Sequence, residues 1–320
     1  MAAALLEARD LCKYFYEKKN VFPAVERVSF AIREGETLGL VGESGSGKTT
    51  CGRVSVGLYK KTAGASLYQG RDIHRMSKKQ YFDFTKEAQS IFQDPYAAFD
   101  PRQKALDIVA EGIDIHRLAK NGGVRRRMVV ELLEKVGLRE EHASQPLTVF
   151  SGGQRQRLGI ARALAVNPRL IFCDECVSAL DVSIQAQIIN LLLDLQASRR
   201  LSYLFVSHDL TLVRQISHRV AVMRAGRIIE TGETEKVCAA PRHPYTQALL
   251  AAKPIADPEL EAIRGREKLF LTPPEKSGPV PGGGCSFYAQ CPSALPACGK
   301  APPPLLEWED GRQVACYQVS

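Results

Sequence analysis

The segment GESGSGKT, residues 42–49, constrains the fold more than any other stretch. It fits G-x-x-x-x-G-K-[ST], follows the short apolar run TLGLV (37–41), which reads as a buried strand, and leads into a predicted helix from Lys48. Gly42, Gly45 and Gly47 let the backbone bend tightly, so that successive N–H groups face one anion. Glu43, Ser44 and Ser46 complete the loop, and the positive end of the following helix adds to its field. Lys48 is placed to reach the outer phosphates of a nucleotide and the Thr49 hydroxyl to ligate magnesium, with Thr50 in the same first turn. The bland alternative, a glycine-rich turn without a ligand, does not explain why a strand precedes it and a helix follows.

A second run supplies what a nucleotide site still needs. In LIFCDE (170–175) an apolar strand ends in Asp174, a candidate magnesium ligand through water, and Glu175, placed to polarise an attacking water as general base. YLFVSHD (203–209) and RVAVM (219–223) read as further buried strands, and IQAQIINLLLDLQ (184–196) as a helix. Residues 104–145 have helical periodicity, broken at NGG (121–123). Strands alternating with helices predict an α/β fold around a mainly parallel sheet covered on both faces.

No run of 18 apolar residues occurs, and Glu7, Arg9 and Asp10 interrupt what would be the apolar core of a secretion signal. A cytoplasmic protein, soluble or peripheral to a membrane, is expected. The net charge of +8 is scattered, its one tight cluster being Arg125–Arg127, and no basic stripe alternates with aromatics. Nucleic acid is therefore not expected as a partner.

FSGGQRQRLGIARAL (150–164) resembles the signature motif of ABC-type ATPases, the nucleotide-binding subunits of ATP-binding cassette systems. Other family motifs follow the family's order. Gln93 in IFQDP matches the Q-loop, Asp181 in SALD the D-loop and His208 in VSHD the switch histidine; Phe15 in LCKYF lies where the adenine-stacking aromatic is found, with Tyr14 and Tyr16 as alternatives. The likeness covers about residues 5–252. It implies a P-loop NTPase fold with a RecA-like core, an antiparallel β subdomain and a helical subdomain near 95–155, all within residues 1–252. It further implies that two subunits pair head-to-tail around two ATP molecules. Ser151, Gly152, Gly153 and Gln154 would then meet the γ-phosphate bound by the partner, while Gln93, Thr49 and Asp174 would serve Mg2+. His208 would hold the γ-phosphate and help orient Glu175. Two departures stand out: Phe150 replaces the usual leucine, and Cys176 replaces the proline after the catalytic glutamate, which is expected to loosen Glu175 slightly.

IFQDPYAAFDPR (91–102) and PRHPYTQALLAAKP (241–254) resemble the ATPases of oligopeptide, dipeptide and nickel importers, most of all the second of their two non-identical ATPase subunits. The implied machine is a heterodimer of ATPases on the cytoplasmic face, two membrane-spanning permeases and an external substrate-binding protein, with Tyr96–Arg102 near the permease. Import of nickel or another small solute, and a soluble ABC ATPase acting on nucleic acid or ribosomes, are the alternatives. One cassette and no heptad run speak against the last.

Beyond residue 252 the texture changes: eleven of the eighteen prolines lie in 253–320. This segment is expected to be loop-dominated and to need a source of stability other than a core. Cys285, Cys291, Cys298 and Cys316 lack the C-x2–4-C pairs usual for zinc. All-cysteine ligation of an iron–sulfur cluster tolerates looser spacing. The tail resembles the C-terminal extension of the peptide-importer ATPases, which implies a [4Fe–4S] cluster; zinc or free thiols remain open.

Overall fold

Four of the apolar runs become adjacent strands because each has two faces to bury. The structure, a computed structural model, describes residues 4–17, 20–94, 99–252, 283–308 and 310–318. Tyr96–Ala98 of the expected permease-facing stretch, residue 95 at the start of the expected helical subdomain, and residues 253–282 of the extension lie outside them. In chain order the strands are β1 (Ala4–Glu17), β2 (Asn20–Arg33), β3 (Thr37–Val41), β4 (Ala63–Tyr68), β5 (Arg71–Asp72), β6 (Ala88–Ile91), β7 (Leu170–Asp174), β8 (Ser202–Ser207), β9 (Arg219–Arg224), β10 (Arg227–Glu233), β11 (Leu306–Glu307) and β12 (Gln313–Val314). The helices are α1 (Lys48–Ser55), α2 (Lys78–Glu87), α3 (Ala105–Ile115), α4 (Gly122–Lys135), α5 (Gly152–Leu164), α6 (Val182–Arg199), α7 (Leu210–Ile216), α8 (Thr234–Ala239) and α9 (Pro244–Ala251).

One sheet runs β11-β12-β10-β9-β3-β8-β7-β6, parallel from β9 to β6. Alternate residues of its strands serve two cores. Leu38, Leu40, Phe172, Leu204 and Val206 meet α1 and the second, antiparallel sheet β2-β1-β4-β5. Val41, Ile171, Cys173, Tyr203 and Phe205 meet the helices on the other side. Continuous apolar runs are what such a doubly covered sheet requires. Helix α1 comes close to β7 at Gly52, where a Cβ would lie 2.2 Å from the Phe172 ring.

The segment 121–123 does more than interrupt a helix. The Asn121 side chain accepts from Val124 N at 2.9 Å and so caps α4. Helices α3, α4 and α5 share a core through Ile108, Val109, Val129, Leu133, Leu158 and Ala161.

The tail is attached by means the sequence did not announce. Strand β12 pairs with β10, extending the large sheet. Arg312, 2% exposed, donates to the carbonyls of Ala240 at 2.6 Å and Lys236 at 3.1 Å and lies 3.8 Å from the carboxylate of fully buried Glu230. That carboxylate also accepts from Arg242 N and His243 N, at 2.9 and 3.0 Å.

Candidate nucleotide-binding site

The loop between β3 and α1 is held open by glycine. Gly47 has φ 98°, and a Cβ there would sit 2.2 Å from the Ala24 carbonyl, so no other residue fits without a shift. Gly226 N donates to Ser46 O at 2.9 Å, fastening the loop to the β9–β10 turn. Lys48, 3% exposed, donates to the carbonyls of Gly42 and Glu43, at 2.8 and 2.7 Å. Burial lowers its pKa, against the opposing charges of Glu175, Asp174 and Glu43. Ser44 and Gly45 are exposed at the loop's tip, and Thr50 is half-buried behind it.

The carboxylates at the end of β7 meet this loop. Thr49 donates to Asp174 Oδ1 at 2.7 Å. Glu175 follows with φ 48°, and His208 Nδ1, just past β8, lies 3.4 Å from its Oε2. Gln93 Nε2 lies 3.4 Å from Ser178 Oγ, which donates to the Glu175 carbonyl at 2.9 Å. The Glu175 backbone is tied on both sides. Its N–H donates to Val206 O at 3.0 Å and its carbonyl also accepts from Ser178 N at 3.1 Å, while Cys176 is 2% exposed within the core. Phe150 is equally buried and packs 5.6 Å from His142.

Phe15 is accessible for stacking and packs edge-on against Tyr59 at 6.4 Å. Tyr14 is committed, donating to Glu26 at 2.7 Å, and Tyr16 projects into solvent. Sequence reading missed Arg53, which pairs with Asp174 at 3.0 Å, donates to the Tyr59 hydroxyl at 3.0 Å and so joins the aromatic end of the site to the carboxylate end. A lone arginine on a helix carries no local signal of this.

The signature segment lies on other elements. Ser151 caps α5, accepting from Gln154 N at 3.3 Å, while the Gln154 side chain accepts from Ser151 N at 2.9 Å. Gly152 and Gly153 face Leu180 and Ile184, on either side of exposed Asp181. The α5 N-terminus is thus a second anion-seeking end beside the turn into α6.

The four tail cysteines do come together. Cys285, Cys291, Cys298 and Cys316 all line one cavity of about 10 Å³, with His243, Phe287 and Tyr288 also in its wall. Burial, then the neighbouring thiols, pushes Cys285 and Cys291 above the usual thiol range. Among the described residues no group of three or more His, Cys, Asp or Glu is arranged to hold a metal ion, these four cysteines included. For magnesium in a phosphate site this is unsurprising, since Mg2+ takes one or two protein oxygens and completes its shell from phosphate and water.

The family described as ABC transporter matches residues 25–178, and that described as oligopeptide/dipeptide transporter, C-terminal region, matches 229–298. The putative oligopeptide transport ATP-binding protein YkfD of Bacillus subtilis (strain 168) is 49% identical over 98% of this chain and 95% of its own length. The chain belongs to the ABC transporter ATPases of the oligopeptide/dipeptide importer family. A second relative of this ABC ATPase, the oligopeptide transport ATP-binding protein OppF of the same organism, is 50% identical over 84% of this chain and 88% of its own. Among solved structures, the dimeric post-hydrolysis state of the ATP-binding cassette MJ0796 bound to ADP and Pi superposes with a TM-score of 0.65 and 27% identity, covering 72% of this chain and 98% of that one. The ABC ATPase is an ATP-hydrolysing transporter subunit, and ATP with Mg2+ is its cofactor pair. No helix among its described residues is long and apolar enough to cross a membrane.

Proposed function

We propose that this ABC ATPase powers the import of di- and oligopeptides. The observation that carries the peptide reading is the 49% identity to an oligopeptide transport ATP-binding protein across nearly the whole chain, tail included. Residues 1–252 form the nucleotide-binding unit, with a helical part near 95–155, and 253–320 the extension. Lys48 and the loop N–H groups of residues 42–50 cradle the phosphates, Phe15 stacks on the base, and Thr49, Asp174 and Gln93 serve Mg2+. Glu175 draws a proton from the attacking water, and His208 holds the γ-phosphate and the glutamate. The 3.4 Å His208–Glu175 separation supports this pairing, since apo contacts of this kind tighten only around substrate.

Ser151, Gly152, Gly153 and Gln154, with Asp181, close on ATP held by a second, homologous ATPase. Closure and hydrolysis then drive two permeases from the cytoplasmic face of the membrane, fed by an external binding protein. Reconstitution tests this: with the permeases in proteoliposomes, ATP turnover is expected to rise several-fold when peptide-loaded binding protein is added. Stimulation by nickel-loaded and not by peptide-loaded binding protein would move the assignment to metal import.

The four cysteines are assigned to a [4Fe–4S] cluster. Support comes from the all-thiol donor set and its convergence on one cavity. That cavity admits only a water-sized body, so the thiolates must spread to enclose a cluster. A cross-link there would brace a proline-rich segment that has little core. Protein prepared without oxygen is expected to be brown, and Cys291→Ser to bleach it. A colourless preparation with one equivalent of zinc overturns the assignment.

A further inference from the structure

We infer that Arg224 is a positioning residue through which the tail segment 286–290 sets the shape of the phosphate-binding loop, so that tail contacts tune ATP affinity. The inference rests on the nucleotide site proposed above and adds a control to it.

Arg224 ends β9 and is 1% exposed, yet its guanidinium touches three separate parts of the chain. Nε donates to the Ser286 carbonyl at 3.2 Å and Nη2 to Gln290 Oε1 at 3.0 Å, both in the tail. Nη1 donates to both carboxylate oxygens of Glu43, at 3.4 and 3.3 Å. The guanidinium carbon lies 4.5 Å from the Tyr245 ring centre and 4.9 Å from that of Phe287, a tail residue.

Glu43 is the point where this matters. Its N–H donates to the Tyr245 hydroxyl at 3.0 Å, its carbonyl accepts from Lys48 at 2.7 Å, and its carboxylate is held by Arg224. All three polar handles of one loop residue are thus tied, two of them to groups that the tail packs against. A buried guanidinium has five donors and a strong cost for leaving any unpaired. If Gln290 or Ser286 withdraws, Arg224 must seek other partners, and among the described residues the carboxylate it pairs with is Glu43. The shift passes to the residue whose carbonyl Lys48 grips, and Lys48 must turn toward phosphate when nucleotide enters. Cys285 and Cys291 bracket the contact segment, so the state of these thiols would be felt through the same arginine.

Gln290 is half-exposed and outside the catalytic machinery, which makes it the clean probe. In the full chain, the Kd for a fluorescent ATP analogue, and the KM for ATP in the assembled transporter, are expected to rise about three- to tenfold in Gln290→Ala, with kcat within about twofold, since only part of the effect of losing one hydrogen bond to a charged group is passed on to the loop. Gln290→Glu, which keeps an acceptor, is expected to restore the wild-type value. Arg224→Lys is expected to raise KM alone and to make Gln290→Ala silent when the two are combined. A Gln290→Ala protein with a lower Tm but unchanged Kd and KM, or additive effects in the double variant, overturns the inference. Loss of ATP turnover in the wild-type transporter would instead strike the reading of the site itself.

Discussion

Replacing Glu175 by glutamine is expected to slow ATP turnover by about two to four orders of magnitude while nucleotide binding survives, the range typical of losing a general base. The carboxylate stands at the end of β7 beside Asp174, within reach of His208, and its backbone is anchored to Val206 and Ser178. Glutamine keeps the shape and the hydrogen-bonding reach and removes only the basicity. Lys48 and Thr49, which hold phosphate and metal in this reading, are untouched by the change. The check is paired: single-turnover hydrolysis of radiolabelled ATP beside an equilibrium binding isotherm. Turnover equal to wild type would mean that another group, or an unassisted water, does the work assigned to Glu175. Loss of binding along with turnover would mean that the residue is structural.

The second large effect is on stability. Arg312→Met is expected to cost about 3–5 kcal/mol, the usual result of stranding a buried charge. Glu230 is fully buried, and burial already raises its pKa above the ordinary carboxylate value despite the Arg242 and His243 N–H groups and the nearby guanidinium. With Arg312 gone, the backbone N–H groups and the Thr246 side chain still face the charge, but the guanidinium does not, and the carbonyls of Lys236 and Ala240 and the carboxylate of Asp310 lose their donor as well. For a chain of this size the midpoint of thermal unfolding should fall on the order of 10 °C. Adding Glu230→Gln, which removes the stranded charge, should recover much of the loss. A single variant that melts within a degree of wild type would show that the tail's attachment does not depend on this pair.

These two residues also mark where local reading succeeds and where it stops. The place of Glu175 was legible because it is written in adjacent positions: four apolar residues that must form a buried strand, then two carboxylates at its end. The same holds for Lys48 after its glycines and for Ser151, whose capping box with Gln154 spans four residues. Arg312 was not legible. It immediately precedes a strand of two residues, too short to show alternation, and although Asp310 binds it from two positions away, the carbonyls and the carboxylate through which it ties the tail to the core lie more than seventy positions away in the chain. Arg53 and Arg224 are similar cases, separated from Asp174 by 121 residues and from Glu43 by 181.

The amino-acid sequence alone therefore set the class of chemistry to expect: a candidate phosphate cradle, a candidate metal-side aspartate, a candidate base and a second helix end open to an anion. Each of these needs only a few consecutive residues in one backbone shape. Tertiary structure alone decided how those parts are held and what else reaches them, including Arg53 on the metal-side aspartate, Arg224 between the loop and the tail, and β12 on the edge of the sheet. A buried charge finds its distant partners through space, and its immediate neighbours along the chain do not record which of them it will meet.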